Sequence, residues 1–352
     1  MLEVPKNSTL AVRAAERELQ GKTCLVTGAG GFIGGALLKR LREVGANVLG
    51  TTLTEAECDA ARSKGARATV FDLRNTAEAP ALLEGVEYVF NVAAMFNETE
   101  ASERDYFDVN EVATLAFAQA AYEAGVKRFV HVSTVGVHGD VMEIPATEES
   151  PFNPMDRYHR SKLAGELAVL TMARDLGEEE MVITVNRPAM VYGPGDMRQL
   201  KLFKLIAREN FVMIGDGRTL AHFGYIDDQV DSLLLSAVAP REAVHAEAFN
   251  IASGNPISLN EAVKVIAKAL DMEPPETRLP LGPVMMLATM IELLCKPFGI
   301  RPPLSRRRVG FFTHNRAFDL SKAKERMHYE SRVELPQGAR ETVRWYRERK
   351  LL

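Results

Sequence analysis

Cysteine is scarce and unpatterned in this chain: three residues in 352, Cys24, Cys58 and Cys295, with no C-x-x-C. That argues against a disulfide scaffold or a cysteine metal site and fits reduced thiols in a cytoplasm, with Cys24 inside a buried strand. No metal is expected. An excess of one charge is also lacking. With 43 basic and 47 acidic residues the formal net charge is −4, which gives no reason to expect nucleic acid or an anionic membrane as partner. Internal repeats and low-complexity tracts are absent. Residues 1–20 are too polar for a secretory leader and read as an N-terminal extension, with Thr9 to Gln20 spaced as a short amphipathic helix. No apolar run reaches the ~20 residues that cross a bilayer. The nearest, Val284 to Ile300 (VMMLATMIELLCKPFGI), holds Glu292 and Lys296 and is broken by Pro297. Its plain reading is a packed helix. Sharper readings are a lid over an apolar pocket or a peripheral contact with a membrane surface.

What is present is an alternation. Short β-branched or apolar runs at Thr23–Thr27, Asn47–Thr51, Ala68–Phe71, Val86–Asn91 and Arg128–Ser133 are separated by helical patterns at Ile33–Val44, Glu55–Lys64, Glu78–Leu83 and Tyr106–Ala124. A helix at Tyr158–Arg174 and a strand at Val182–Asn186 follow. This order predicts an α/β fold, a doubly wound parallel sheet over residues 21–192. Beyond Gly193 the pattern loosens into glycine, proline and short elements, predicting a smaller mixed substrate lobe over 193–352, interwoven with the first. Helices are expected at Ser258–Leu270 and, carrying the one tryptophan, Trp345, at Gln337–Lys350.

Two motifs carry chemistry. TGAGGFIG, Thr27 to Gly34, follows an apolar strand and opens a helix, the context of a Rossmann dinucleotide turn. Gly28 permits the tight turn, Gly31 lets the backbone approach a pyrophosphate and Gly34 lets strand and helix pack; Gly30, Phe32 and Ile33 complete the cradle. The stretch after the second strand, Leu49 to Thr54, has no carboxylate before Glu55. Small hydroxyls such as Thr52 accept a 2′-phosphate, and Arg62 or Lys64 is placed to reach it, so NADP(H) is preferred slightly over NAD(H). Asp72 and Leu73, after the third strand, are placed to touch the adenine, or Asp72 caps a helix. In YHRSK, Tyr158 and Lys162 stand four apart on one helical face. A fixed positive charge there is expected to bring the phenol down from about 10 toward the working range.

In sequence order TGAGGFIG, NVAA (Asn91 to Ala94), Asn110, HVSTVGVHG, YHRSK and RPAMVYGPGD resemble the extended short-chain dehydrogenase/reductase family (NAD-dependent epimerase/dehydratase superfamily). The resemblance runs from about Gly21 to the C-terminus. It implies an NAD(P)-dependent enzyme with Tyr158 as proton donor or acceptor, Lys162 holding the nicotinamide ribose, and Thr134 bonding the substrate oxygen. Asn110 would kink a helix and anchor a water, or be a satisfied core amide. Ala93, Ala94 and Ser133 would line the cofactor, with Pro188 to Val191 on the nicotinamide. Met95, Val135, Met190 and Phe223 would face the substrate. His131 and His138, flanking the strand end, read as structural. Family members often dimerise through the helix bearing the tyrosine, so a homodimer is expected.

Within the family, sugar-nucleotide enzymes carry G-D-G-x-x-x-R-D-F, whose arginine binds the diphosphate. Here Gly215 to Phe223 places Ala221 at that position, with Arg218 as a candidate substitute. The C-terminal part, from Leu279 through RPPLSRRR to FDLSKAKERMHY, resembles the 3β-hydroxysteroid dehydrogenase branch. The expectation is an oxidoreductase interconverting a secondary alcohol and a ketone on an apolar, sterol-like or long-chain 3-oxo acid substrate. The basic run Arg306–Arg308 could pair a carboxylate, though a solvated patch explains it as well. Alternatives are a nucleotide-sugar epimerase or dehydratase and, from another class, a non-catalytic dinucleotide-sensing protein.

Overall fold

The computed structural model describes residues 9–352 except 64, 97–100, 179, 296 and 298–301, and the backbone only of Arg307. The expectations for Lys64, Lys296 and the end of the apolar run therefore lie outside the described residues.

Seven strands form one parallel sheet. Six are β1 (Thr23–Thr27), β2 (Asn47–Thr52), β3 (Arg67–Val70), β4 (Tyr88–Asn91), β5 (Arg128–Val132) and β6 (Val182–Pro188); the seventh is Glu247–Ile251. The spatial order runs from Glu247–Ile251 through β6, β5, β4, β1 and β2 to β3. The order reverses between β1 and β4, and ligands of such sheets bind outside the strand ends at that point. Because both faces are covered, the strands read as continuous apolar runs, and alternate residues sort to opposite layers. Cys24 and Val26 of β1 pack with α1 (Leu10–Leu19), α2 (Phe32–Glu43) and the helix Ile226–Val238. Leu25, Val89, Phe129 and Ile183 pack with Leu83, Phe117, Ala121, Val169 and Ala173 on the other side.

Two parts of this sheet layer come from beyond Gly193. Ile226–Val238 is buried almost all round, so it shows no amphipathic stripe, and Glu247–Ile251 pairs with β6 at the sheet edge. The N-terminal extension is also structural. Glu16 of α1 meets Arg40 at 2.6 Å, and Arg40 reaches the buried Asp231 at 3.4 Å.

The expected single helix Tyr106–Ala124 is three pieces: an α-turn Glu103–Phe107, a π-helical segment Asp108–Ala113 and an α-helix Thr114–Glu123. Such a π-bulge widens one turn and is frequent beside functional sites. The remaining lobe packs the helices Leu200–Ala207, Leu259–Ala269 and Leu335–Glu348 around Phe203, Ile266, Val343 and Tyr346. The helix Leu281–Cys295 stands apart, held by a small cluster around Val284, Ala288 and Val309.

Candidate active site

The glycine turn closes where the sequence requires it. Gly28 has φ +67°, and a Cβ there would lie 2.8 Å from Ala93 Cα. A Cβ at Gly34 would sit 2.2 Å from Gly28 O, so only glycine lets α2 start this close to β1. Gly31 is the N-cap residue of α2 and has no side-chain cap bond. The first amides of the helix thus face the switch point with no side chain on them, a ready anion site. Ser133, at the end of β5, is buried with no partner for its hydroxyl. A cradle that a single methyl would fill and an orphaned hydroxyl beside it fit a dinucleotide lying across the turn.

The ribose side differs from expectation. Thr52 Oγ1 donates to Thr54 O and lies 2.8 Å from Cys58 Sγ, so its hydroxyl is already engaged. Arg62 is not aimed at the turn. Its Nε and Nη2 donate to Ala68 O, and its Nη1 to Glu55. The carboxylate at the turn is Glu57, which accepts from Leu53 N and Thr54 N. A Cβ on Gly30 would be 3.0 Å from the Glu57 carboxyl carbon. Asp72 is held by Arg74 Nε and Nη2, and that pairing keeps its carboxyl below the usual range. Leu73 is buried.

The tyrosine helix runs Arg157–Asp175, started by Asp156, whose side chain accepts from His159 N. Gly165 lets it approach the π-bulge, since a Cβ there would sit 1.9 Å from Asn110 O. Asn110 is wholly buried and fully used: it accepts from Met95 N and donates to Met95 O and Ser161 Oγ. It ties the β4 loop to the tyrosine helix. Its side-chain hydrogen bonds go to Met95 and Ser161. Thr134 caps the short turn Val135–His138, its hydroxyl oxygen accepting from Gly136 N at 3.1 Å. That leaves the Thr134 O–H to donate outward.

Lys162 departs from the expected pairing. Its Nζ lies 3.3 Å from His131 Nε2, and His131 Nδ1 lies 3.1 Å from the Asn91 amide. Thr27 Oγ1 accepts from Ala93 N and donates to Asn91 Oδ1. With the amide oriented by this network, Asn91 donates to His131 Nδ1, and the imidazole proton sits on Nε2 facing Lys162. A neutral amine accepts that proton; an ammonium cannot. Burial agrees: it brings Lys162 down to about 7, Glu166 pulling the other way, and holds His131 well below its usual value. The phenol is not made acidic here. Burial raises Tyr158 above its usual range, with Arg198 the cation opposing the rise and Lys162 contributing nothing. The expected depression of Tyr158 by Lys162 is thus not seen, because the lysine is turned toward His131 on β5.

Ala93 borders the turn, while Ala94 is exposed and Met95 and Met190 half-buried at its edge. Pro188 ends β6, and Val191 gives its carbonyl to Arg198. Two expected substrate residues are core residues instead. Phe223 is 6% exposed, edge-on to Tyr192 within the lobe, and Val135 packs with Val141, Ala146, Ala189 and Phe318. Ala221 is buried beside Phe223, and Arg218 is exposed with Asp216 at 3.8 Å. His138 Nε2 accepts from Nη1 of the buried Arg187, which pairs with Glu166 at 2.5 Å.

Sequence reasoning missed Phe96 and Arg198. Phe96 packs edge-on to Tyr158 at 4.8 Å between centroids. The Arg198 guanidinium lies 5.2 Å from the Phe32 ring centroid and 6.0 Å from that of Phe96, so it stands between glycine turn and tyrosine. Its position just after GPGD was the available signal. Among the described residues no cluster of metal-ligating side chains occurs, and no helix is long and apolar enough to cross a membrane.

With this geometry in hand, comparison with known proteins is informative. The model of the NAD dependent epimerase/dehydratase family matches residues 24–252. The chain is 30% identical over 304 residues to 3beta-hydroxysteroid-dehydrogenase/decarboxylase isoform 1 of Arabidopsis thaliana, covering 81% of this chain and 68% of that protein. It is 29% identical over 341 residues to UDP-glucose 4-epimerase of Mycolicibacterium smegmatis, covering 92% of this chain and 98% of that protein. Among solved structures it is similar to MoeE5 in complex with UDP-glucose and NAD, with a TM-score of 0.72 and 25% identity over 94% of this chain and all of that one.

Proposed function

We propose a reaction from one premise: the chain belongs to the NAD dependent epimerase/dehydratase family and is an NAD(P)-dependent enzyme. The reaction is the interconversion of a secondary alcohol and a ketone on an apolar substrate. The turn Gly28–Gly34, Ala93, Ser133 and Pro188 would hold the dinucleotide, whose nicotinamide supplies or accepts the hydride when bound. The protein's own part is the proton. In the reductive direction Tyr158 Oη gives its proton to the carbonyl oxygen. Thr134, whose hydroxyl oxygen accepts from Gly136 N and so keeps its proton free, donates its O–H to the same atom and steadies the charge that develops there. Lys162, whose Nζ lies at His131 Nε2, would hold the nicotinamide ribose. Asn110 and Gly165 keep the tyrosine helix seated on the π-bulge. The N-terminal and sheet residues 21–192 would carry the cofactor, and the lobe 193–352 the substrate.

The single observation that carries this reading is the half-buried phenol of Tyr158, raised by burial and so held protonated, on a helix packed against the turn that Thr134 caps. The buried Ala221 supports an apolar substrate over a nucleotide sugar, since no cation replaces the arginine from that strand. The Mycolicibacterium epimerase and MoeE5 support the second reading, a nucleotide-sugar enzyme. For the ribose, Glu57 against Gly30 and the engagement of Arg62 outweigh the missing carboxylate at 51–54, and NAD(H) is the cofactor we assign. A homodimer would form on the apolar face of the tyrosine helix and its neighbours, where Val112, Tyr122 and Leu167 are exposed.

Tyr158→Phe removes the proton and leaves the ring packing on Phe96. Hydride transfer to a panel of long-chain 3-oxo acids and sterol ketones should fall at least about 100-fold, with NADH affinity unchanged by fluorescence titration. Undiminished turnover would sink the assignment. Thermal stabilisation by UDP, with none by the apolar panel, would favour the sugar-nucleotide reading instead.

A further inference from the structure

We propose that the helix Leu281–Cys295 docks the protein on an anionic lipid bilayer, lying in the interface with one apolar side in the headgroup–acyl boundary. The five side chains of that side are Met286 at 65% exposure, Leu287 at 50%, Met290 at 53%, Leu293 at 65% and Leu294 at 67%. At about 100° per residue they fall within an arc of about 120°. The opposite side, with Val284 and Ala288, is buried on Val309. A surface helix in water presents its polar side outward. This one is inverted, with both sides apolar and the outer one uncovered among the described residues.

Charge identifies what covers it. The helix has one carboxylate, Glu292, and it lies off the outer row, accepting from Arg306 N and Nε at 2.8 Å. From Thr277 to Arg308 the sequence holds six basic residues and that one acid, in a chain whose net charge is −4. Arg278, three residues before the helix, and Arg308, on the turn Arg306–Gly310 whose Val309 packs against it, are exposed. An apolar row inside a cationic collar matches an anionic membrane surface: the row partitions into the boundary while the collar meets lipid phosphates. A second copy of the chain is a poorer occupant, because a two-fold contact would set one cationic collar against the other. The proposal does not depend on which reaction the cleft performs.

The test uses the whole chain and sedimenting vesicles of phosphatidylcholine, alone and with about 30% phosphatidylglycerol. The protein should sediment with the anionic vesicles and be released by about 0.5 M salt. The double variant Leu293→Glu, Leu294→Glu should lose vesicle binding at least about tenfold while keeping NADH affinity, because both side chains are exposed in the folded protein. Arg308→Gln, which leaves the apolar row untouched, should weaken binding about fivefold. The proposal is overturned if the parent protein stays in the supernatant with anionic vesicles, or if the double variant binds them as well as the parent does. It is equally overturned if vesicle-free protein is a dimer that the double variant splits, which would make this side a seam between copies.

Discussion

Lys162 is 1% exposed and Leu293 is 65% exposed, the reverse of what an ammonium and an isobutyl group prefer in water. The two mismatches are resolved differently. Around Lys162 every polar atom of the line Ala93, Thr27, Asn91, His131 has a neighbour, and burial lowers the amine to about 7, so it gives up its proton far more readily than in water. Around Leu293 nothing among the described residues compensates, because the helix meets the lobe through a handful of side chains. A mismatch answered internally marks a site that works by shifting a proton. A mismatch left unanswered marks a surface that awaits something outside.

The largest effect that sharpens this contrast comes from removing the buried amine. A lysine whose value falls from 10.5 when unfolded to about 7 when folded binds fewer protons in the native state. Its contribution is present at high pH and is lost as pH falls from about 10.5 through about 7. Lys162→Met abolishes that loss. Its melting temperature relative to the parent should therefore rise by about 3 °C or more between pH 9 and pH 7, and level off below. The orphaned His131 Nε2 costs a constant offset that leaves this trend unchanged. A difference flat across that range, measured by scanning calorimetry, would mean that Lys162 is charged in the folded protein and that the network runs the other way.

Much of this site was legible beforehand, for reasons particular to each part. Gly28 and Gly34 could be read because a strand, a forced turn and a helix start leave few residue types able to serve. The sheet could be read because its strands alternate with helices of ordinary length. The helix Ile226–Val238 and the strand Glu247–Ile251 could not, since burial on all sides erases periodicity and no local signal says that the chain returns to an earlier sheet. Phe223 and Val135 looked like pocket residues by their place in motifs, yet the same apolar character sends them into cores. His131 illustrates a further limit: its ring matters through Lys162, a partner 31 residues away, and no spacing rule announces that contact. Glu57 has no signal at the strand end, where a ribose carboxylate ordinarily stands, because only the folded turn brings the next helix back onto Gly30.

A smaller effect probes the edge of the polar region. Glu57 is exposed, yet two backbone amides fix its carboxylate beside the glycine turn. A 2′-phosphate brought to the ribose position would meet that negative charge. Glu57→Gln keeps the shape and removes the repulsion, so the ratio of NADPH to NADH affinity should rise about fivefold, with the gain shrinking in salt. An unmoved ratio in paired titrations would place the ribose away from Gly30 and reopen the preference for NADP(H).

The smallest effect is the one that could break the comparison. If the outer row of Leu281–Cys295 truly lacks a partner within the chain, shortening it costs the fold almost nothing. Leu293→Ala should change unfolding stability by no more than about 0.5 kcal/mol, since little apolar surface is returned to water. Val284→Ala, on the inner side of the same helix and 8% exposed, should cost more than about 1 kcal/mol through the cavity it leaves. The two substitutions share one helix, so differences in helix propensity are small beside that gap. Equal costs by urea denaturation would mean that Leu293 is covered in solution by the protein itself. The helix would then be a lid over the lobe, and its apolar row an internal surface like the others.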